Sequence, residues 1–112
     1  MGIAKTTLFD TELQTKAELF KALGHPARLA ILKYLAETKT CITGDFADEL
    51  PLSRTTVNQH LSELKEAGLI ICHTEGVKTY YCLNQVRICE LKKLTRGLMD
   101  EISLPEDFIC KP

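Results

Sequence analysis

The chain has 112 residues, room for one hydrophobic core, and its 45% hydrophobic and 26% charged residues are the balance of a globular domain rather than a disordered segment. No apolar run approaches the roughly 20 residues of a membrane helix. The start, MGIAKTTLFD, lacks the apolar stretch of a secretory signal, so the expected location is cytoplasmic. The formal net charge of −1 supplies no bulk attraction to a polyanion. Cations nonetheless recur through the middle (Arg28, Lys33, Arg54, Lys65, Lys78) while Asp100, Glu101, Glu106 and Asp107 gather near the end, so a local positive face fits a neutral total.

In chain order the pattern predicts helix, helix, short helix, turn, helix, hairpin, helix. Thr11 with Gln14 resembles a capping box, and Leu13, Ala17, Phe20 and Leu23 follow at helical spacing. Gly24-His25-Pro26 ends that helix and opens the next, with Pro26 suited to a first helical position. Leu29, Ile31, Leu32 and Leu35 make the second helix apolar on most sides, as a central buried helix should be. After Thr40-Cys41-Ile42, Thr43 is placed to cap a short helix through Phe46, Ala47 and Leu50, which Pro51 stops.

Ser53 is placed to cap the next helix, SRTTVNQHLSELKEAG, which Gly68 ends. Leu69–Cys72 and Thr79–Leu83 read as two strands with Glu75-Gly76 at the turn. Asn84 can cap a last helix striped with Ile88, Leu91, Leu94, Leu98 and Ile102, and Pro105 begins an unassigned tail. The expected fold is therefore mainly α with a small β-hairpin: a winged helix-turn-helix ordered α-α-α-α-β-β-α. It forms a single domain over 1–112, with the helix-turn-helix at about 43–67 and the wing at about 69–83.

The chemistry sits on the helix after Ser53. At 100° per residue Val57, Leu61 and Leu64 share one face, leaving Thr55, Asn58, Gln59 and Ser62 on the other with Arg54 on the flank. Asn and Gln can make paired contacts to adenine and Arg to guanine in the major groove. Ser53, Thr56 and the helix N-terminus can meet phosphate oxygens. Lys78, and His73 with it, are candidate phosphate contacts from the wing. A plain solvated helix would favour Glu and Lys over these short hydroxyls and amides. An interaction module that shares the fold without binding DNA would display aromatics and aliphatics instead. Cysteines and histidines occur, but in no spacing that suggests a nucleophilic enzyme.

The stretches ELFKALGHPARLAILKYLAE, TCITGDFADELPLSRTTVNQHLSELKEAGLI and EGVKTYYCLN resemble the ArsR/SmtB family of bacterial repressors across most of the chain. The resemblance implies a homodimer built mainly from the first and last helices, binding double-stranded DNA at an inverted-repeat operator and released by an effector. His60 falls at the family's usual His-Leu position. Its helical angle puts it at the core edge, so it reads as a packed histidine, and His25 reads as a helix-boundary residue.

The family's effector sites transfer only in fragments. One type uses two cysteines flanking one residue; here the segment is Cys41-Ile42-Thr43, with a single thiol. Another uses carboxylates and histidines on the last helix; of Gln85, Arg87, Leu98 and Glu101 only Glu101 could ligate. The five cysteines (Cys41, Cys72, Cys82, Cys89, Cys110) are odd in number and contain no CxxC pair, so free thiols are expected in place of a structural disulfide framework. Winged-helix folds often pair the segment before the third helix with the second wing strand, which would bring Cys41 near Cys82. Two readings of that pair stay open beside simple core filling. One is a soft-ligand site for arsenite or a related thiophilic ion, with Cys89 or Cys110 as third ligand. The other is a redox switch. The resulting expectation is a sequence-specific DNA-binding repressor, relieved by a thiophilic ion or an oxidant acting at cysteines. A repressor without a cysteine effector site is the alternative.

Overall fold

The computed structural model describes residues 8–38 and 40–110. Four α-helices surround a three-stranded antiparallel sheet: α1 Thr11–Leu23, α2 Pro26–Thr38, β1 Ile42–Thr43, a 3-10 helix Gly44–Glu49, α3 Arg54–Glu66, β2 Ile70–Glu75, β3 Lys78–Leu83 and α4 Gln85–Glu101. The strands lie in the order β1-β3-β2. Pairing sets Ile42 against Tyr81, and Ile70, Cys72 and Glu75 against Leu83, Tyr81 and Lys78.

One core holds these pieces. Leu19 and Ala22 of α1 meet Ile31 and Leu35 of α2, Phe46 and Ala47 of the 3-10 helix, Val57, Leu61 and Leu64 of α3, and Leu69 and Ile70 at the wing's root. Aromatic contacts extend it across the sheet: Tyr34 stacks on Phe46 at 5.4 Å, and Phe46 meets Tyr81 edge-on at 6.2 Å. Such pairs add to area burial. Lys16, only 6% exposed, reaches Glu12 at 3.3 Å and Glu101 at 3.8 Å, which ties the end of α4 to α1.

Several local expectations change. The α1 cap is Asp10, whose carboxylate accepts from the Leu13 N–H at 2.8 Å, while Gln14 donates to the Phe9 carbonyl at 2.6 Å. Asp10, one residue earlier, offers a charged acceptor in place of the Thr11 hydroxyl, favourable at a helix N-terminus. The buried face of α1 is Lys16, Leu19 and Ala22, leaving Leu13 and Ala17 outside. In α2, Ala27, Ile31 and Leu35 are buried and Leu29 is exposed. The expected third helix is a 3-10 helix preceded by a two-residue strand, and Thr43 makes no side-chain cap to it. The hairpin turn is Gly76-Val77. Gly76 takes φ 64°, the positive value that two-residue hairpin loops require.

Candidate nucleic-acid interface and the cysteine face of the wing

Ser53 positions the start of α3: its Oγ accepts from the Thr56 N–H at 3.2 Å and donates to Thr56 Oγ1 at 2.9 Å. The other end closes on Gly68, where φ is 79° and the N–H groups of Gly68 and Leu69 donate to the Lys65 and Leu64 carbonyls. That pair of bonds is a Schellman motif. Arg87 of α4 adds a third contact there, donating from Nε to the Ala67 carbonyl at 3.1 Å.

Val57, His60, Leu61 and Leu64 are buried, so the polar side of α3 faces away from the core. Arg54, Asn58 and Ser62 line one concave surface with Lys78 and Thr79 of β3, Tyr81, Cys72 and the exposed tip residue Val77. Thr55 and Gln59 are exposed on the adjoining crest of α3, and Thr56 is half-buried with its hydroxyl engaged by Ser53. Lys65 joins the same concavity, a residue the sequence reading left out. Its spacing of seven from Asn58 and three from Ser62 could have revealed it. Arg54, Lys65 and Lys78 thus face a surface whose lining carboxylate is Asp45, while Asp48 holds Arg54 Nη1 at 3.2 Å from the side. Gly44 packs closely here: a Cβ would meet Arg54 at 3.2 Å and Tyr81 at 3.3 Å, so either side chain would have to give by a few tenths of an ångström.

His60 takes no part in that surface. It is 7% exposed and its Nδ1 accepts from Arg28 Nε at 3.1 Å. Arg28 Nη1 also donates to the Lys21 and Ala22 carbonyls, joining α1, α2 and α3 at one point. His25 sits 4.2 Å away, ring centre to ring centre, and its Nδ1 accepts from the Ala27 N–H at 3.0 Å, capping α2. Burial, then the neighbouring charges of His25 and Arg28, hold the His60 pKa below its ordinary value.

The other face of the sheet carries sulfur. The expectation of free thiols is overturned for two residues: Cys41 and Cys82 are joined by a disulfide, S–S 2.01 Å, with Cα atoms 4.4 Å apart. The reason is register, since Ile42 opposite Tyr81 puts Cys41 directly across from Cys82 at the narrow spacing of an antiparallel pair. Cys72, Cys89 and Cys110 remain free. The third sulfur expected from Cys89 or Cys110 is not brought to the pair. Among the described residues the donor group at this point is Cys41, Cys82 and His73, whose ligating atoms all lie within 4.8 Å of one another. Two exposed cysteines on α4 and the tail carry no positional signal, whereas His73 lies two residues along β2 from Ile71, the partner of Cys82.

A capped α3 packed beside a β-hairpin wing defines the winged helix-turn-helix fold. A helix-turn-helix domain model matches residues 23–73. The chain is 41% identical over 82 residues to an uncharacterized HTH-type transcriptional regulator of Methanocaldococcus jannaschii, covering 73% of this chain and 92% of that one. It is 35% identical over 71 residues to the HTH-type transcriptional repressor SmtB of Mycobacterium tuberculosis, covering 63% of this chain and 52% of the repressor. An ArsR-like transcriptional regulator from Rhodococcus shares the fold, with a TM-score of 0.66 at 23% identity over 80% of this chain and 84% of that one. The chain belongs to the ArsR/SmtB family of winged helix-turn-helix transcriptional regulators, a family of DNA-binding proteins rather than enzymes.

Proposed function

We propose that the chain is a cytoplasmic transcriptional repressor that binds an inverted-repeat operator as a homodimer. In this reading Ser53 and Thr56 seat the start of α3 against phosphate, and Arg54, Thr55, Asn58, Gln59 and Ser62 approach base edges. Lys78 holds the backbone from the wing. The carrying observation is the concavity shared by α3 and the wing, in which Arg54, Asn58, Ser62 and Lys78 converge with Lys65.

The Cys41–Cys82 pair is the control point of the proposal. β1 runs straight into the 3-10 helix before α3, and β3 is the second wing strand, so the disulfide links the helix-turn-helix to the wing. An oxidant or a thiophilic ion acting there changes how the two contact surfaces sit together, and operator affinity falls with that change.

Anisotropy titration of a labelled duplex from the protein's own upstream region tests the reading. Specific, salt-sensitive binding is expected, weakened about ten-fold or more by Arg54→Ala or Asn58→Ala. Treatment with a thiol oxidant should weaken the reduced protein's binding, and Cys82→Ser should abolish that response. Equal binding to unrelated duplexes, with both α3 variants silent, would overturn the repressor assignment.

A further inference from the structure

The outer face of the wing sheet brings together donors of two kinds. Cys41 and Cys82 oppose each other across β1 and β3, and His73 lies on β2 within 4.8 Å of both sulfurs by one ring nitrogen. Its ring is already oriented, stacked on Tyr80 at 5.4 Å and 12° between planes. Glu75 Oε1 stands 3.8 Å from His73 Nε2, a negative charge beside the imidazole. His73 is exposed and the cysteines half-buried, so an ion can reach the group from solvent. Cys41 and Cys82 also line a concavity with Leu35, Ile71, Leu83 and Gln85.

We propose that reduction of the Cys41–Cys82 disulfide opens a three-donor site, made by the two thiolates and the His73 imidazole, for a divalent thiophilic cation such as zinc or cadmium. The inference rests on the reading of this pair as the control point and gives that point a ligand class.

The chemistry balances as follows. A small dithiol reductant supplies two electrons and two protons to the disulfide, which becomes two thiols, while the reductant leaves as its own disulfide. The cation then displaces the two thiol protons and takes the lone pair of neutral His73. Tetrahedral coordination at bond lengths of about 2.3 Å to sulfur separates two thiolates by about 3.8 Å. Cysteines whose Cα atoms are 4.4 Å apart reach that separation by rotating their side chains outward. Two sulfurs and one nitrogen form a Cys2His set with a fourth position open to water. That set suits zinc and cadmium better than trivalent arsenic, which three thiolates would hold. The nitrogen donor therefore narrows the ligand from thiophilic ions in general to divalent ones.

The test is cadmium titration of the reduced full-length chain in a Cys89→Ser/Cys110→Ser background, without DNA. Near-ultraviolet thiolate-to-cadmium absorption reports sulfur bonding, and a chromophoric chelator reports affinity. One cadmium per chain is expected, with release of two protons. His73→Ala, a change at an exposed position, should keep the sulfur absorption but bind at least ten-fold more weakly. The disulfide form should show no absorption, a control independent of whether Cys82→Ser folds. Unchanged affinity in His73→Ala, or equal binding by the disulfide form, would overturn the site. Because DNA is absent, this result is independent of operator recognition. A protein that binds the duplex specifically but takes up no cadmium would sink only the metal proposal.

Discussion

At the level of single residues the contact that organises the helical part is Arg28 on His60. Arg28 satisfies two carbonyls at the end of α1 and donates to His60 Nδ1 in α3, so His60 must be neutral to accept. Protonation removes that acceptor and sets a buried positive charge beside Arg28 and His25, which is why the His60 pKa lies below its ordinary value. This contribution is fully present above the unfolded histidine pKa of about 6.5 and is lost as pH falls through the lowered folded value. Melting temperature should therefore drop as pH falls below the unfolded histidine value of about 6.5, and the drop should be shallower in His60→Gln, which keeps an acceptor and does not titrate. Parallel slopes for the two proteins would show that His60 does not govern the transition.

At the scale of elements, α3 is held by its two ends. Gly68 at φ 79° has ordinary room for a methyl group, its nearest contacts being Arg87 atoms at 3.6 Å and beyond, so the constraint is the backbone conformation itself. Gly68→Ala should cost about 1–2 kcal/mol, read from the chemical-denaturation midpoint. An unchanged midpoint would mean that the turn relaxes. The helices, the Ser53 and Asn84 caps, the Gly68 stop and the outward face of α3 were legible in the sequence, because each is written in local spacing. The inward face of α1 was not. Lys16 is buried there through contacts with Glu12 and the distant Glu101, which periodicity scores as a surface position. The 3-10 helix was read as α because both place apolar residues three or four apart. His73 was read with Lys78 as a candidate phosphate contact because it follows the first wing strand in sequence. Only the strand register shows that it faces the cysteines.

The whole molecule has a radius of gyration of 17.7 Å and extents of 57 × 42 × 29 Å. A compact domain of this length would have a radius near 13 Å. The excess goes with α4, none of whose 17 residues is buried, and with apolar side chains left in the open on both terminal segments: Phe9 and Leu13, then Met99, Ile102, Leu104 and Phe108. Two copies packed through α1 and α4 would cover these faces, as the proposed homodimer requires. Leu13→Glu with Ile102→Glu should weaken that dimer by about a hundred-fold or more, since each buries an unpaired charge. Sedimentation would follow it, with operator binding lost in parallel. A monomeric wild-type chain at micromolar concentration would remove the basis for this assembly.

The cross-link between Cys41 and Cys82 spans 41 positions of sequence. It makes a covalent ring, and the contents of that ring are notable for what they leave out. The 3-10 helix, α3 and nearly all of the hairpin lie inside it, whereas α1, α2 and α4 lie outside. Closing a ring of this size restricts the unfolded chain by an amount on the order of 4 kcal/mol in the chain-entropy treatment. In the proposed repressor, thiol chemistry would therefore constrain directly only the stretch of chain that carries α3 and the hairpin, and would reach α1, α2 and α4 through the shared core.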